Sequence, residues 1–199
     1  MIVTAEDGST FHLKNDGTWT DAGTPDTQHL STELGFRKVA WGSSKSVIRA
    51  SEDQSWSEAD DVLAFDTSIA GMASSVRFIF LDDQLVRAKY IVTETYVNDD
   101  KYLVSFAALK ALLGKKYGAP DKDNEFWSDD LYQDDPSQWG MAVSCGDLNK
   151  FTIWETAETN VTLALTGENF DVTLQVEYSA RAFSDLEDSR TESKYLEDL

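Results

Sequence analysis

Residues 161–178, VTLALTGENFDVTLQVEY, decide how the chain is read. Val161, Leu163 and Leu165 alternate with Thr162, Ala164 and Thr166. After Gly167-Glu168-Asn169 the alternation resumes, with Val172, Leu174, Val176 and Tyr178 set against Thr173, Gln175 and Glu177. A period of two is the signature of a strand with one buried and one wetter face. A short Gly/Asn loop between two such runs closes an antiparallel hairpin. The rest of the chain is then material that extends or covers this sheet.

Working outward, 76–81 and 85–95 make a second hairpin around Asp82-Asp83, and 62–69 reads as a strand with Leu63 and Phe65 on one face. Phe106, Leu109, Leu112 and Leu113 recur at helical spacing. Lys115 and Lys116 sit in that helix's last turn, where cations favour the negative helix end, and Gly118 and Pro120 stop it. A shorter helix around Val47 and Ile48 starts after Gly42, with Ser43 or Ser44 to accept its free amide hydrogens. An apolar run before it, 34–42, reads as a strand, as do 139–145 and 151–156. Residues 121–136 read as an acidic turn-rich loop.

Near the N-terminus, Asp7-Gly8 and Asn15-Asp16-Gly17 separate short strand-like runs, which predicts a β-meander over 1–20. Residues 21–33 read as a linker and 183–199 as a charged, acidic tail, fraying or loosely helical. The expected architecture is α+β: tandem helix-plus-antiparallel-sheet units over 34–182, with halves at about 34–98 and 99–182.

The run FRKVAWGSSKSVI (36–48), the later YGAP (117–120), Trp154 and the final hairpin together resemble a bacterial envelope family of the "FRGxxWGxS" type. More distantly, WGSSKSVI and KKYGAP resemble the units of the β-lactamase inhibitor proteins and of the small lipoproteins of outer-membrane assembly. Lys38 stands where the envelope pattern has Gly, and no lipid-acceptor Cys lies near the start. The segment DGSTFHLKNDGTW (7–19) resembles a stretch found near the start of mature envelope proteins. These resemblances imply an α+β fold with helices on one face of the sheet, an envelope location and a binding role.

The composition narrows the function. With 36 acidic against 17 basic residues the formal charge is −19, which argues against direct electrostatic binding of nucleic acid and against docking on anionic lipid. It suits a basic protein partner, mimicry of DNA, a salt-rich habitat or solubility alone. No apolar run reaches the ~18 residues of a membrane span. The first residues lack the basic start and apolar segment of a secretory signal, so the expected setting is periplasmic or secreted if a leader was removed, and cytoplasmic otherwise.

Catalytic constellations are not apparent. Cys145 is the sole cysteine and reads as a small core residue. His12 and His29 are the only imidazoles, too few and too early for a Ser–His–Asp device or a zinc set. Asp121, Asp123 and Glu125 have the spacing of a calcium loop, but Phe126 occupies its Gly position. No cofactor is expected, and a non-enzymatic reading leads.

Face assignment by alternation yields a candidate surface. If Phe151 and Ile153 join the buried set, Thr152 and Trp154 fall on the other face with Gln175 and with Arg77, Arg87 and Lys89. An open antiparallel face carrying an aromatic among hydroxyls and cations suits recognition of another protein, of the inhibitor, immunity or assembly-factor kind. The expected binding residues are therefore Trp154, Thr152, Gln175, Arg77, Arg87 and Lys89. The alternatives are a small-ligand carrier with Trp127, Trp139 and Trp154 in one cleft, and an acidic DNA mimic.

Overall fold

A computed structural model describes residues 2–4, 10–13, 19–21 and 35–197, the side chains from 35 to 191. The chain divides into two compact units, Met1–Glu33 and Leu34–Leu199. In the first, β1 (Ile2–Thr4), β2 (Thr10–Leu13) and β3 (Trp19–Asp21) form an antiparallel meander in the order β1-β2-β3. Its two Gly turns, His29 and the 22–33 stretch lie outside the described residues.

The second unit is α+β, an open eight-stranded antiparallel sheet with four helices. In chain order it runs α1 (Lys45–Ser51), β4 (Ser57–Ala59), β5 (Val62–Ile69), β6 (Met72–Leu81), β7 (Gln84–Val92), α2 (Asp100–Tyr117), β8 (Lys122–Trp127), α3 (Trp139–Cys145), β9 (Leu148–Glu155), β10 (Thr159–Glu168), β11 (Asp171–Ala180) and α4 (Ser184–Glu197). The strand order is β4-β5-β6-β7-β11-β10-β9-β8. The two α-then-β segments thus share one sheet, and the last strand of the first pairs with the last strand of the second.

Tight turns set the register. Ala70-Gly71 joins β5 to β6, Asp82-Asp83 joins β6 to β7, and Asn169-Phe170 joins β10 to β11, with both residues of each loop at positive φ. That conformation suits the right-handed twist of the strands it connects. Asp83 does a second job: its carboxylate accepts the Lys45 amide at 3.0 Å. This group, rather than Ser43 or Ser44, meets the start of α1; the Ser44 hydroxyl lies against that of Ser46.

One face of the sheet carries the core. Directly paired residues share a face, and the row Leu63, Phe78, Ala88, Tyr178, Val161, Trp154 crosses six strands from β5 to β9 as an unbroken buried line. Helices α2 and α3 pack on this side. Tyr102, Phe106, Leu109 and Leu113 are the buried apolar stripe of α2, while Leu112 turns outward at 47% exposure.

Four expectations are corrected. Residues 139–145 are helical. Gly140 packs so closely on the start of α2 that a Cβ there would lie 2.5 Å from the Asp100 amide nitrogen, a contact alternation does not reveal. Cys145 ends this helix half-buried, outside the core. Residues 122–127, expected as loop, form β8 at the sheet's edge, where exposed charged side chains are tolerated. The 34–42 run has only a Phe36–Val39 bridge, because Arg37 turns the chain at φ 52°. The tail's described part is the helix α4 with its preceding 3-10 turn, Arg181–Phe183.

Candidate functional site

The face opposite α2 and α3 is built from the alternate residues of the same strands. One row reads Ser75, Ile91, Gln175, Ala164, Phe151, Asn124; the next reads Ala64, Arg77, Lys89, Glu177, Thr162, Ile153, Lys122. Arg77, Lys89 and Gln175 therefore stand together as expected. Arg87 joins them one row further on, paired with Ile79 and Ser179.

Thr152 and Trp154 do not belong to this surface. Both point into the core, at 0% and 2% exposure. The physical reason is the size and chemistry of the indole. Buried, it removes more apolar area from water than an Ile in its place, and its N–H meets the Gly118 carbonyl at 3.1 Å just beyond the end of α2, where helix carbonyls lack intrahelical partners. Thr152 is satisfied by Asp123 at 2.9 Å. Phe151 and Ile153 are consequently the residues that face outward, half-buried, with Phe151 edge-on to the exposed Phe126 at 5.8 Å between ring centroids.

The cations of the face are unequally matched. Glu177 accepts from Arg87 at 2.8 Å and lies 2.5 Å from Lys89. Arg87 also donates to Glu187 of α4 at 3.0 Å. Burial works against the Arg87 charge, but the hydrogen bond to Glu187 and the fields of Glu177, Glu187 and Asp188 outweigh it and hold the guanidinium above its ordinary value. Arg77 is exposed and has no ion-pair partner among the described residues. Between α4 and the sheet runs a groove of about 320 Å³, lined by Ile79, Leu81 and Val86 with Arg87, Lys89, Glu187, Arg190 and Thr191. The helical tail as a wall of this surface was not expected, since its charged sequence shows no clear apolar stripe.

A second polar cluster lies on the covered side. Arg37 donates to Glu52 at 2.6 Å and to the Tyr90 hydroxyl at 2.9 Å, and lies 5.5 Å from the centroid of the Phe65 ring. Glu52 is 7% exposed, and the Arg37 hydrogen bond holds its carboxyl below the usual range against the opposing effect of burial. Only the Arg37-Lys38 pair, two cations inside an apolar run, could have signalled it.

The expected three-tryptophan cleft does not form. Trp127 and Trp139 meet at 5.8 Å, 66° apart. Trp127, however, pairs with Leu148 at the opposite end of β9 from Trp154, roughly 20 Å away along the strand. The acids of the calcium-like spacing are engaged elsewhere: Asp123 with Lys110, Glu125 with Lys150, and Asp121 with the Glu155 amide. The Lys110 contact holds Asp123 below the usual carboxylate range. Among the described residues no group of three or more His, Cys, Asp or Glu is placed to hold a metal ion, and no helix is long and apolar enough to cross a membrane.

Compared with protein-family models, curated proteins and solved structures, the chain matches none.

Proposed function

We propose that the protein is a non-enzymatic interaction module whose open sheet face receives another protein. The observation that carries this reading is the outward row Ile91, Gln175, Ala164, Phe151 with Ile153 and Phe126 beside it. Ile91, Phe151 and Ile153 are half-buried and Phe126 is exposed on a face that α2 and α3 leave clear, where a sheet face that only meets water usually carries polar side chains. Aromatic and aliphatic anchors ringed by Thr162, Thr166, Thr173 and Arg77, which has no ion-pair partner among the described residues, are the composition of a recognition patch. An envelope setting is part of this reading.

Affinity capture from the source cells, followed by quantitative mass spectrometry, tests it. Phe126→Asp with Ile153→Asp should lose the specific partner, while Val97→Asp, on the opposite polypeptide stretch before α2, should keep it. Equal capture by all three chains would reject the sheet face as the contact.

A further inference from the structure

The groove beneath α4 has a feature that the rest of the face lacks: an occupant is already present. Across Arg87 and Lys89 the sheet supplies one carboxylate, Glu177, to two cations, and Arg77 receives none among the described residues. The missing negative charge comes from α4, through Glu187. Yet the described side chains of α4 leave part of the space open. Through residue 191 only Leu186 and Glu187 of this helix are even half-buried, and about 320 Å³ stays open beside the half-buried Ile79 and Leu81, with Val86 fully covered at their side. The surface thus matches a carboxylate set beside a bulky apolar group on one helical face, and the described side chains of α4, through residue 191, supply the carboxylate while the space beside Ile79 and Leu81 stays open.

We propose that this groove is a docking site for an acidic, amphipathic helical segment of the partner protein, and that α4 is its built-in stand-in. The inference rests on the reading of the open face as a protein-binding surface and names the chemistry of the partner. The binding segment places a Glu or Asp on Arg87 and large apolar side chains against Ile79 and Leu81. Docking displaces α4, so the helix acts as a competitor tethered at high effective concentration.

The test uses the full chain and a labelled synthetic peptide with the sequence of residues 184–199. In the Glu187→Lys chain α4 loses its anchor, its amides exchange faster with solvent, and the peptide binds at least about tenfold tighter than to the wild type, as removal of a tethered competitor requires. A peptide carrying Glu187→Lys does not bind, a control that leaves the protein's fold untouched. Adding Arg87→Ala to the Glu187→Lys chain abolishes peptide binding, with the thermal melt showing that the chain still folds. The proposal is overturned if peptide affinity is the same for wild type and Glu187→Lys, or if the charge-reversed peptide binds equally well. A concentration-dependent wild-type dimer that the peptide dissolves would make the occupant a second copy, and would likewise overturn a foreign partner. Failure of the peptide while Phe126→Asp with Ile153→Asp still abolishes capture defeats this inference alone; failure of both defeats the open-face reading as well.

Discussion

Glu52 is the most buried charge of the described chain, and its environment has a signature in acid. Its carboxyl is held below the ordinary value by Arg37, so the folded state prefers it ionised more than the unfolded state does. The resulting stabilisation is complete above the ordinary carboxylate pKa of about 4.3 and fades as pH falls through the depressed folded value. Glu52→Gln should therefore lower stability at neutral pH and flatten the acid limb of a stability-against-pH curve, followed by urea unfolding. An acid limb identical to wild type would mean that the Arg37 contact is immaterial. Trp154 makes the complementary case. Trp154→Ala empties a site of 2% exposure and orphans the Gly118 carbonyl, and should cost about 3–5 kcal/mol in denaturant unfolding. A surface indole would cost far less. The sequence could not settle this residue because both alternating sets of β9 contain apolar members: Phe151 and Ile153 in one, Trp154 in the other. Choosing the two aliphatic or phenyl side chains over the single indole inverted the strand.

At the scale of elements, the β10–β11 hairpin is held by its tip as well as by its ladder. Gly167 lies so close to α3 that a Cβ would stand 2.0 Å from the Val143 carbonyl oxygen. The neighbouring atoms are backbone and cannot swing aside, so Gly167→Ala should force hairpin and helix apart and lower the melting temperature. At the same tip Phe170 adopts φ 68° while 70% exposed. A left-handed conformation costs a non-glycine residue roughly 1–2 kcal/mol. Phe170→Gly should raise stability by up to about 1 kcal/mol, measured by thermal or urea unfolding. A loss instead would show that the ring has a contact worth more than the strain. This hairpin, the β6–β7 hairpin and α2 were legible in the sequence because each has a long run of one clean period. α3 was not, since Met141, Val143 and Cys145 alternate by coincidence across only seven residues, too few to separate a period of two from 3.6. β8 was hidden because an edge strand with exposed Lys122, Asp123 and Glu125 needs no apolar alternation. α4 carries few apolar residues, and one of the contacts that position it is a carboxylate, Glu187, on the distant Arg87.

For the molecule as a whole, the decisive contact is the seam where β7 meets β11, Gln175 to Ser179 against Ile91 to Arg87. The core runs through that seam without a break, from Leu63 to Trp154. Residues 35–191 should therefore unfold as one cooperative unit. Trp56 lies on the first α-then-β segment and Trp154 on the second, so each reports one side. Val176→Ala, in the seam at 1% exposure, should shift the denaturation midpoints seen by both tryptophans together, with each indole isolated in turn by replacing the other tryptophans with Phe. Midpoints that separate would show two independent folding units. The candidate surface belongs to this scale too, since its cations come from β6 and β7 and its apolar row ends on β9 and β8. No single segment of sequence contains it.

The seam also has a history written into it. Every other neighbouring pair in the large sheet is contiguous in strand number, whereas β7 has to wait for β11, half the unit's strands later in synthesis. A nascent chain that has finished its first segment therefore presents a raw strand border to the crowded cell. Along that border Arg87 and Lys89 put positive charges where a stray strand would need to lie flat, a guard against wrong pairing. The same two side chains that hold Glu177 in the finished protein would thus have protected the unfinished one.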